Sequence, residues 1–325
     1  MKRLAISICI TAALLSPGLT SGQTRWQELA DSITDMQTDG NVPALGLVIF
    51  DQQQPVLSVA SGSGITVDTP FRWGSITKTF TAMALLNLAY ERNLPVDTPV
   101  STILQSDVFS NAWSPEHPVR LIQLAELTAG FADLSSAEFS DNTPRTLQGV
   151  VTEFPNTRAT AWPPGLQHSY SNMTPGLSSM VVEALTGRSF EQYLHAAVLA
   201  PLSMHAASLK PRPDLPGGFK PDGITEIPYW HMTYAAFGAL NASLAEMRSF
   251  VGALLNSGQV KGHQAIREQV FTHLFKPQTS FGVENGLQVS YAAGMYGRVA
   301  NGHVFYGHGG DADGYRSRYG VLPGA

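Results

Sequence analysis

The chain has 325 residues, 43% hydrophobic and 14% charged, with a formal net charge of −5. This balance fits a folded chain with a sizeable core and excludes a disordered one. It also carries no basic signature for nucleic acid.

The first 22 residues read as a signal peptide. Lys2 and Arg3 form a charged start, residues 4–15 an apolar stretch broken by Ser16-Pro17-Gly18, and small residues follow at Thr20, Ser21 and Gly22. A stretch this short is removed rather than used to span a membrane, with cleavage expected near Gly22. The one cysteine, Cys9, lies inside it, so the mature chain is expected to have neither disulfide nor thiol chemistry. Without Lys2 and Arg3, 18 basic residues face 25 acidic ones, a net charge of −7. No later stretch is long and apolar enough for a membrane span, so a periplasmic or secreted product is expected.

The elements follow in chain order. Residues 25–39 place Trp26, Leu29, Ile33 and Met36 at helical spacing. Residues 44–51 and 55–64 read as two strands joined by Gln52-Gln53-Gln54. From Ser75 the pattern turns helical, with a strongly apolar helix over 79–93 and a Pro-broken surface stretch over 94–104. Further helices are predicted over 119–131, ending at Gly130, then over 175–187, 189–202 and 243–258. The last starts at a Ser243 cap with Glu246 three residues later. Residues 210–223 read as a Pro-rich surface loop. Strand-like runs return over 287–299, 303–310 and 315–322. Strands at both ends and helices between them predict an α/β (α+β) fold. One antiparallel sheet would come from the terminal segments, about 40–70 and 281–325, with a helical lobe of about 75–275 inserted.

Three clusters carry chemistry. In "GSITKTF" (74–80) Ser75 stands where a helix begins, beside unpaired backbone N–H groups that can stabilise an oxyanion. Lys78 lies three positions on, along the same face; if that face is buried, desolvation lowers its pKa and frees it to accept a proton. A cap followed by a solvated lysine is the plain alternative. In "HSYSNM" (168–173) Tyr170 and Asn172 stand two apart, on one side of an extended segment. A tyrosine hydroxyl can relay a proton, and an amide can hold a substrate carbonyl or the lysine. In "YGHGGDADGY" (306–315) His308 precedes Gly309 and Gly310, which allow close backbone approach. No metal-ligand spacing, dinucleotide fingerprint, P-loop or Gly-x-Ser-x-Gly elbow is present, and no cofactor is implied.

In the order Ser-x-x-Lys, Tyr-x-Asn, His-x-Gly, these clusters resemble the serine β-lactamase and penicillin-binding-protein superfamily, in particular its branch of class C β-lactamases, D-peptidases and esterases. "FRWGSITKTFTA", "YSN" and "GHGG" carry the resemblance, supported by "ERNLPVDTPVSTIL", "VLAPLSM" and "LNASLAEMRSFV", from about residue 25 to the end. The resemblance implies that Ser75 attacks a carbonyl to form an acyl-enzyme, with Lys78 and Tyr170 sharing proton transfer. It implies that Asn172 orients the substrate amide or Lys78, and that the N–H groups of Ser75 and Asp311 form the oxyanion hole. His308 would sit beside Tyr170 and tune its hydroxyl. Substrates would be small esters, amides, D-amino-acid peptides or β-lactams. A non-catalytic scaffold that binds a peptide or a protein is the competing class, and a transpeptidase would differ only in its acceptor. There is no Glu-x-x-Leu-Asn segment to supply a deacylating carboxylate, which favours tyrosine-assisted deacylation.

The chain departs from that family in three places. His308-Gly309-Gly310 stands where β-lactamases have Lys-Thr-Gly or Lys-Ser-Gly, so the hydroxyl is missing and the cation is replaced by a group mostly neutral at pH 7. Arg316 and Arg318 are near enough to supply charge but read first as a solvated strand face. The family continues past this strand pair with another strand and a covering helix, whereas this sequence stops at "VLPGA", as a fragment or a divergent end. Leu127 and Ala129 replace polar positions of a His-Thr-Ser-Gly run.

Overall fold

The computed structural model describes residues 22–154 and 158–323; the expected signal peptide lies outside them apart from Gly22. Helix α1 (Gly22–Asp39) precedes an antiparallel hairpin of β1 (Ala44–Asp51) and β2 (Gln54–Gly62), paired from Ala44↔Gly62 to Asp51↔Gln54. Gln52 turns the corner in the left-handed region, φ 53°. Strand β3 (Pro70–Arg72) leads through a 3₁₀ turn, Gly74–Ile76, into α2 (Thr77–Glu91).

Helix α2 is apolar nearly all round, and such a helix is stable only when wrapped on every side. Its residues from Thr77 to Leu86 are all buried. Around it pack α3 (Leu121–Ala125), α4 (Met173–Thr186) and α5 (Phe190–Leu194), the last continued by a π turn over His195–Leu199. Strand β4 (Asn241–Ser243) pairs with β3. Ser243 then caps α6 (Leu244–Leu255) in the predicted box with Glu246. Phe80 of α2 meets Phe250 of α6 with ring centroids 4.5 Å apart. Helix α7 (Glu268–Phe275) precedes a meander of β5 (Tyr291–Ala292), β6 (Met295–Ala300), β7 (His303–Ala312) and β8 (Tyr315–Val321).

This is a mixed α/β fold of small antiparallel sheets with helical insertions, as expected. Several details differ. The helix predicted over 119–131 ends at Ala125, because Glu126 is tied to the 278–279 backbone and Leu127 turns left-handed, φ 53°. The run over 287–299 is broken into β5 and β6 by Ala293-Gly294, where Gly294 has φ 72°. The Pro-rich loop ends in a two-residue pairing of Gly218–Phe219 with Glu226–Ile227. The terminal strands also stand as two separate ladders, with no described strand between them. Both rest on α6, which packs against β1 and β8.

Two glycines bring β7 against the Ser75 turn. A Cβ on Gly310 would overlap the Trp73 carbonyl oxygen and lie 2.6 Å from Ser317 Oγ. Gly74 has φ 51°, and a Cβ there would lie 2.7 Å from the Asp311 carbonyl oxygen. Gly309, by contrast, meets nothing nearer than 3.8 Å. We therefore expect Gly310→Ala to destabilise the fold by about 2 kcal/mol or more and Gly309→Ala to cost under about 1 kcal/mol, compared by chemical denaturation. Equal costs would contradict this packing.

Candidate active site

Ser75 lies in the middle of the 3₁₀ turn, half-buried between the buried Gly74 and Ile76. The apolar flanks hold the turn in the core while the hydroxyl keeps access to solvent. One turn on, Lys78 is 2% exposed. Its Nζ lies 3.0 Å from Ser75 Oγ, 2.7 Å from Asn172 Oδ1 and 2.9 Å from the Phe237 carbonyl oxygen. Burial pushes the ammonium down to about 7, with Asp133 opposing part of the shift.

The donor count then fixes the direction of chemistry. A neutral amine has two N–H bonds and one lone pair. Asn172 Oδ1 and the Phe237 carbonyl can only accept, so both N–H bonds are used on them. The lone pair is left for Ser75, whose O–H can then donate across the 3.0 Å gap. Asn172 is held in this orientation by Asp133, which accepts from its backbone N–H at 2.8 Å and from Nδ2 at 3.1 Å.

Tyr170 and Asn172 do not share an extended strand as expected. Asn172 already has helical backbone angles at the start of α4 (φ −79°, ψ −16°), and Tyr170 is in the loop before it. Both still converge on Lys78, whose Nζ lies 4.8 Å from the Tyr170 ring centroid. The Tyr170 hydroxyl bonds to Ser75, and burial drives its pKa up against that bond. Tyr170 therefore stays protonated where Lys78 is already half neutral.

Strand β7 forms the opposite wall. Strand β6 pairs with it only from His303 to Gly307, so residues 308–312 pair on the β8 side alone. The Asp311 backbone lies against the Ser75 turn: a Cβ on Gly74 would be 2.8 Å from Asp311 N. His308 is 4% exposed, with its ring 6.1 Å from that of Tyr170. Its hydrogen-bond partners are not Tyr170, however, but the Gly309 carbonyl at 2.5 Å and the Tyr291 hydroxyl at 3.2 Å. Arg316 is exposed and pairs with Asp311 at 3.6 Å. Arg318, also exposed, stands opposite Gly309 with its guanidinium 3.8 Å from where a Gly309 side chain would begin.

The structure thus gathers Ser75, Lys78, Tyr170, Asn172, His308 and the Gly309-Gly310-Asp311 backbone around the Ser75 turn. Sequence reasoning missed Asp133, the Phe237 carbonyl and Tyr291. None stands in a motif, and a backbone carbonyl leaves no sequence signal. With lysines labelled at Cε, NMR should show one resonance, absent in Lys78→Met, that titrates near pH 7, charged below and neutral above. A Lys78 signal titrating above pH 9 would contradict the burial argument.

The β-lactamase family profile matches residues 29–325. Penicillin-binding protein 4 of Amycolatopsis lactamdurans is 23% identical over 321 residues, covering 92% of this chain and 82% of that protein. Against other curated relatives the chain spans between 38% and 54% of their length. Among solved structures, the octameric penicillin-binding protein homologue of Pyrococcus abyssi superposes with a TM-score of 0.73 at 20% identity, covering 91% of this chain and 70% of that one. A D-stereospecific amidohydrolase from Streptomyces sp. gives 0.69 at 22% identity, covering 91% and 90%. The profile match over most of the chain, together with the shared fold, places this protein in the β-lactamase and penicillin-binding-protein superfamily of serine hydrolases, to which it belongs.

Proposed function

We propose that the chain is an exported serine hydrolase acting through a Ser75 acyl-enzyme on small esters, amides or D-amino-acid peptides. The observation that carries this reading is the Lys78 lone pair 3.0 Å from Ser75 Oγ. Ser75 Oγ attacks the acyl carbon as its proton passes to Lys78 Nζ. The oxyanion that forms is held by the backbone N–H groups of Ser75 and Asp311. Tyr170, still protonated and hydrogen-bonded to Ser75, gives its proton to the leaving group and recovers one from Lys78. Water then adds to the acyl-enzyme, yields its proton to the Tyr170–Lys78 pair, and the acid departs as Ser75 regains its hydrogen.

The third motif bears on substrate. Burial, with Lys78 nearby, pushes His308 down to about 3, so it is neutral at pH 7. Gly309 supplies no hydroxyl. A carboxylate beside the scissile bond, as in a β-lactam, would find neither a buried cation nor a hydroxyl at these two positions, only the exposed Arg318 guanidinium opposite Gly309. This favours neutral acyl donors, and the D-stereospecific amidohydrolase of similar fold supports including D-amino-acid amides. The half-open edge at 308–312 offers backbone groups for an extended peptide to pair with. The charged and apolar start of the chain supports export.

A panel of aryl esters, D-peptide amides and β-lactams separates the substrate classes. Ser75→Ala should abolish turnover of whichever class is hydrolysed; turnover unchanged in that variant would overturn the reading. Asp133→Asn keeps size but leaves one accepting oxygen for two donors. We expect kcat/KM to fall about 10- to 100-fold, the kinetic equivalent of one charge-assisted hydrogen bond.

A further inference from the structure

We propose that Tyr291 is a positioning residue that locks His308 in one tautomer, taking up its Nε2 lone pair so that its Nδ1–H holds the Gly309 carbonyl. The inference rests on the reading of the cleft as a hydrolase site, but its first test needs no activity.

The tautomer follows from the partners. Gly309 O can only accept, and it lies 2.5 Å from His308 Nδ1, so Nδ1 carries the hydrogen. In a neutral ring Nε2 then holds a lone pair. The Tyr291 hydroxyl is 3.2 Å away and must be the donor. Tyr291 is itself fixed. It is 3% exposed, stacked on His168 at 5.0 Å, and edge-on to Tyr296 at 4.7 Å and to His308 at 5.8 Å. It belongs to β5, which two ladder pairs join to β6.

The other groups around the imidazole disfavour a second charge. Lys78 comes from α2, Arg298 from β6, and His168 and Tyr170 from the loop before α4; Tyr296 of β6 completes the wall. Lys78, Arg298 and His168 each oppose a proton on His308. Once the lone pair is used by Tyr291, His308 is no proton acceptor for Tyr170. Its remaining work is to hold the Gly309 carbonyl and, through it, the backbone that runs on to Asp311. Had His308 been free to take a proton, a second cation would face Lys78 and disturb its titration.

The first test is imidazole ¹H–¹⁵N correlation NMR on wild-type protein, with the His308 signal assigned by its loss in His308→Gln. We expect the Nδ1–H tautomer, unchanged from pH 8 to pH 5. An Nε2–H tautomer, or titration between those limits, would overturn the proposal even if the enzyme is active. The second is the same spectrum of Tyr291→Phe, whose ring stays but whose donor is gone. Burial still keeps His308 neutral there, and with its lone pair released we expect the Nε2 nitrogen signal to move downfield and a share of the Nε2–H tautomer to appear. An Nε2 signal identical to wild type would show that Tyr291 does not hold the tautomer and contradict the lock. If no substrate of the panel is hydrolysed, the hydrolase reading fails while the NMR result still judges the tautomer.

Discussion

The site depends on one constraint: a lysine amine held almost out of water between two groups that can only accept. Burial makes the charged form costly, and the two acceptors consume the N–H bonds of the neutral form, so its lone pair is left for Ser75. The shift from 10.5 to about 7 corresponds to roughly 5 kcal/mol of disfavoured charge. The unfolded chain keeps this proton up to the ordinary lysine value, whereas the folded chain releases it near 7. Over that window the contribution of Lys78 to stability rises with pH, and below it the burial penalty is fully present. The wholly packed α2 holds the lysine in this unfavourable place.

The other parts of the cleft are consequences of keeping that geometry. Asp133 decides which way Asn172 points; a flipped amide would present N–H groups to Lys78 and take away one of its acceptors. Gly74 and Gly310 let β7 approach the Ser75 turn until backbone touches backbone. Tyr319 of β8 reaches α2 through Thr79 Oγ1 at 2.8 Å and meets Phe250 of α6 at 5.2 Å, so sheet and helices pack together behind Ser75.

Much of the fold was legible because its signals are local. The apolar runs of β1 and β2 on either side of the Gln52–Gln54 turn, the apolar run of α2, the Ser243–Glu246 box and Gly187 at the end of α4 each act within a few residues. The early stop of α3 was not legible, since its cause is a bond from Glu126 to residues 278 and 279, about 150 positions away in sequence. The division of the sheet was hidden for the same reason: strand propensity says nothing about which ladder a strand joins. In the site, Ser75, Lys78, Tyr170 and Asn172 could be named because they stand at short spacings within two motifs. Their polarity could not be assigned, since Asp133 lies 39 residues from Asn172 and the Phe237 carbonyl 159 from Lys78. His308 does sit beside Tyr170, but its hydrogen bond goes to Tyr291, 17 residues away and outside any motif.

The most direct measurement of the central claim is the rate at which a fluorophosphonate adds to purified protein between pH 6 and pH 8, followed by intact mass, with Ser75→Ala and Lys78→Met as controls. A single adduct, absent in both variants, should form about ten times faster at pH 8 than at pH 6, following the neutral fraction of a lysine titrating near 7. No adduct on folded protein, or a rate that ignores pH across this range, would contradict the account.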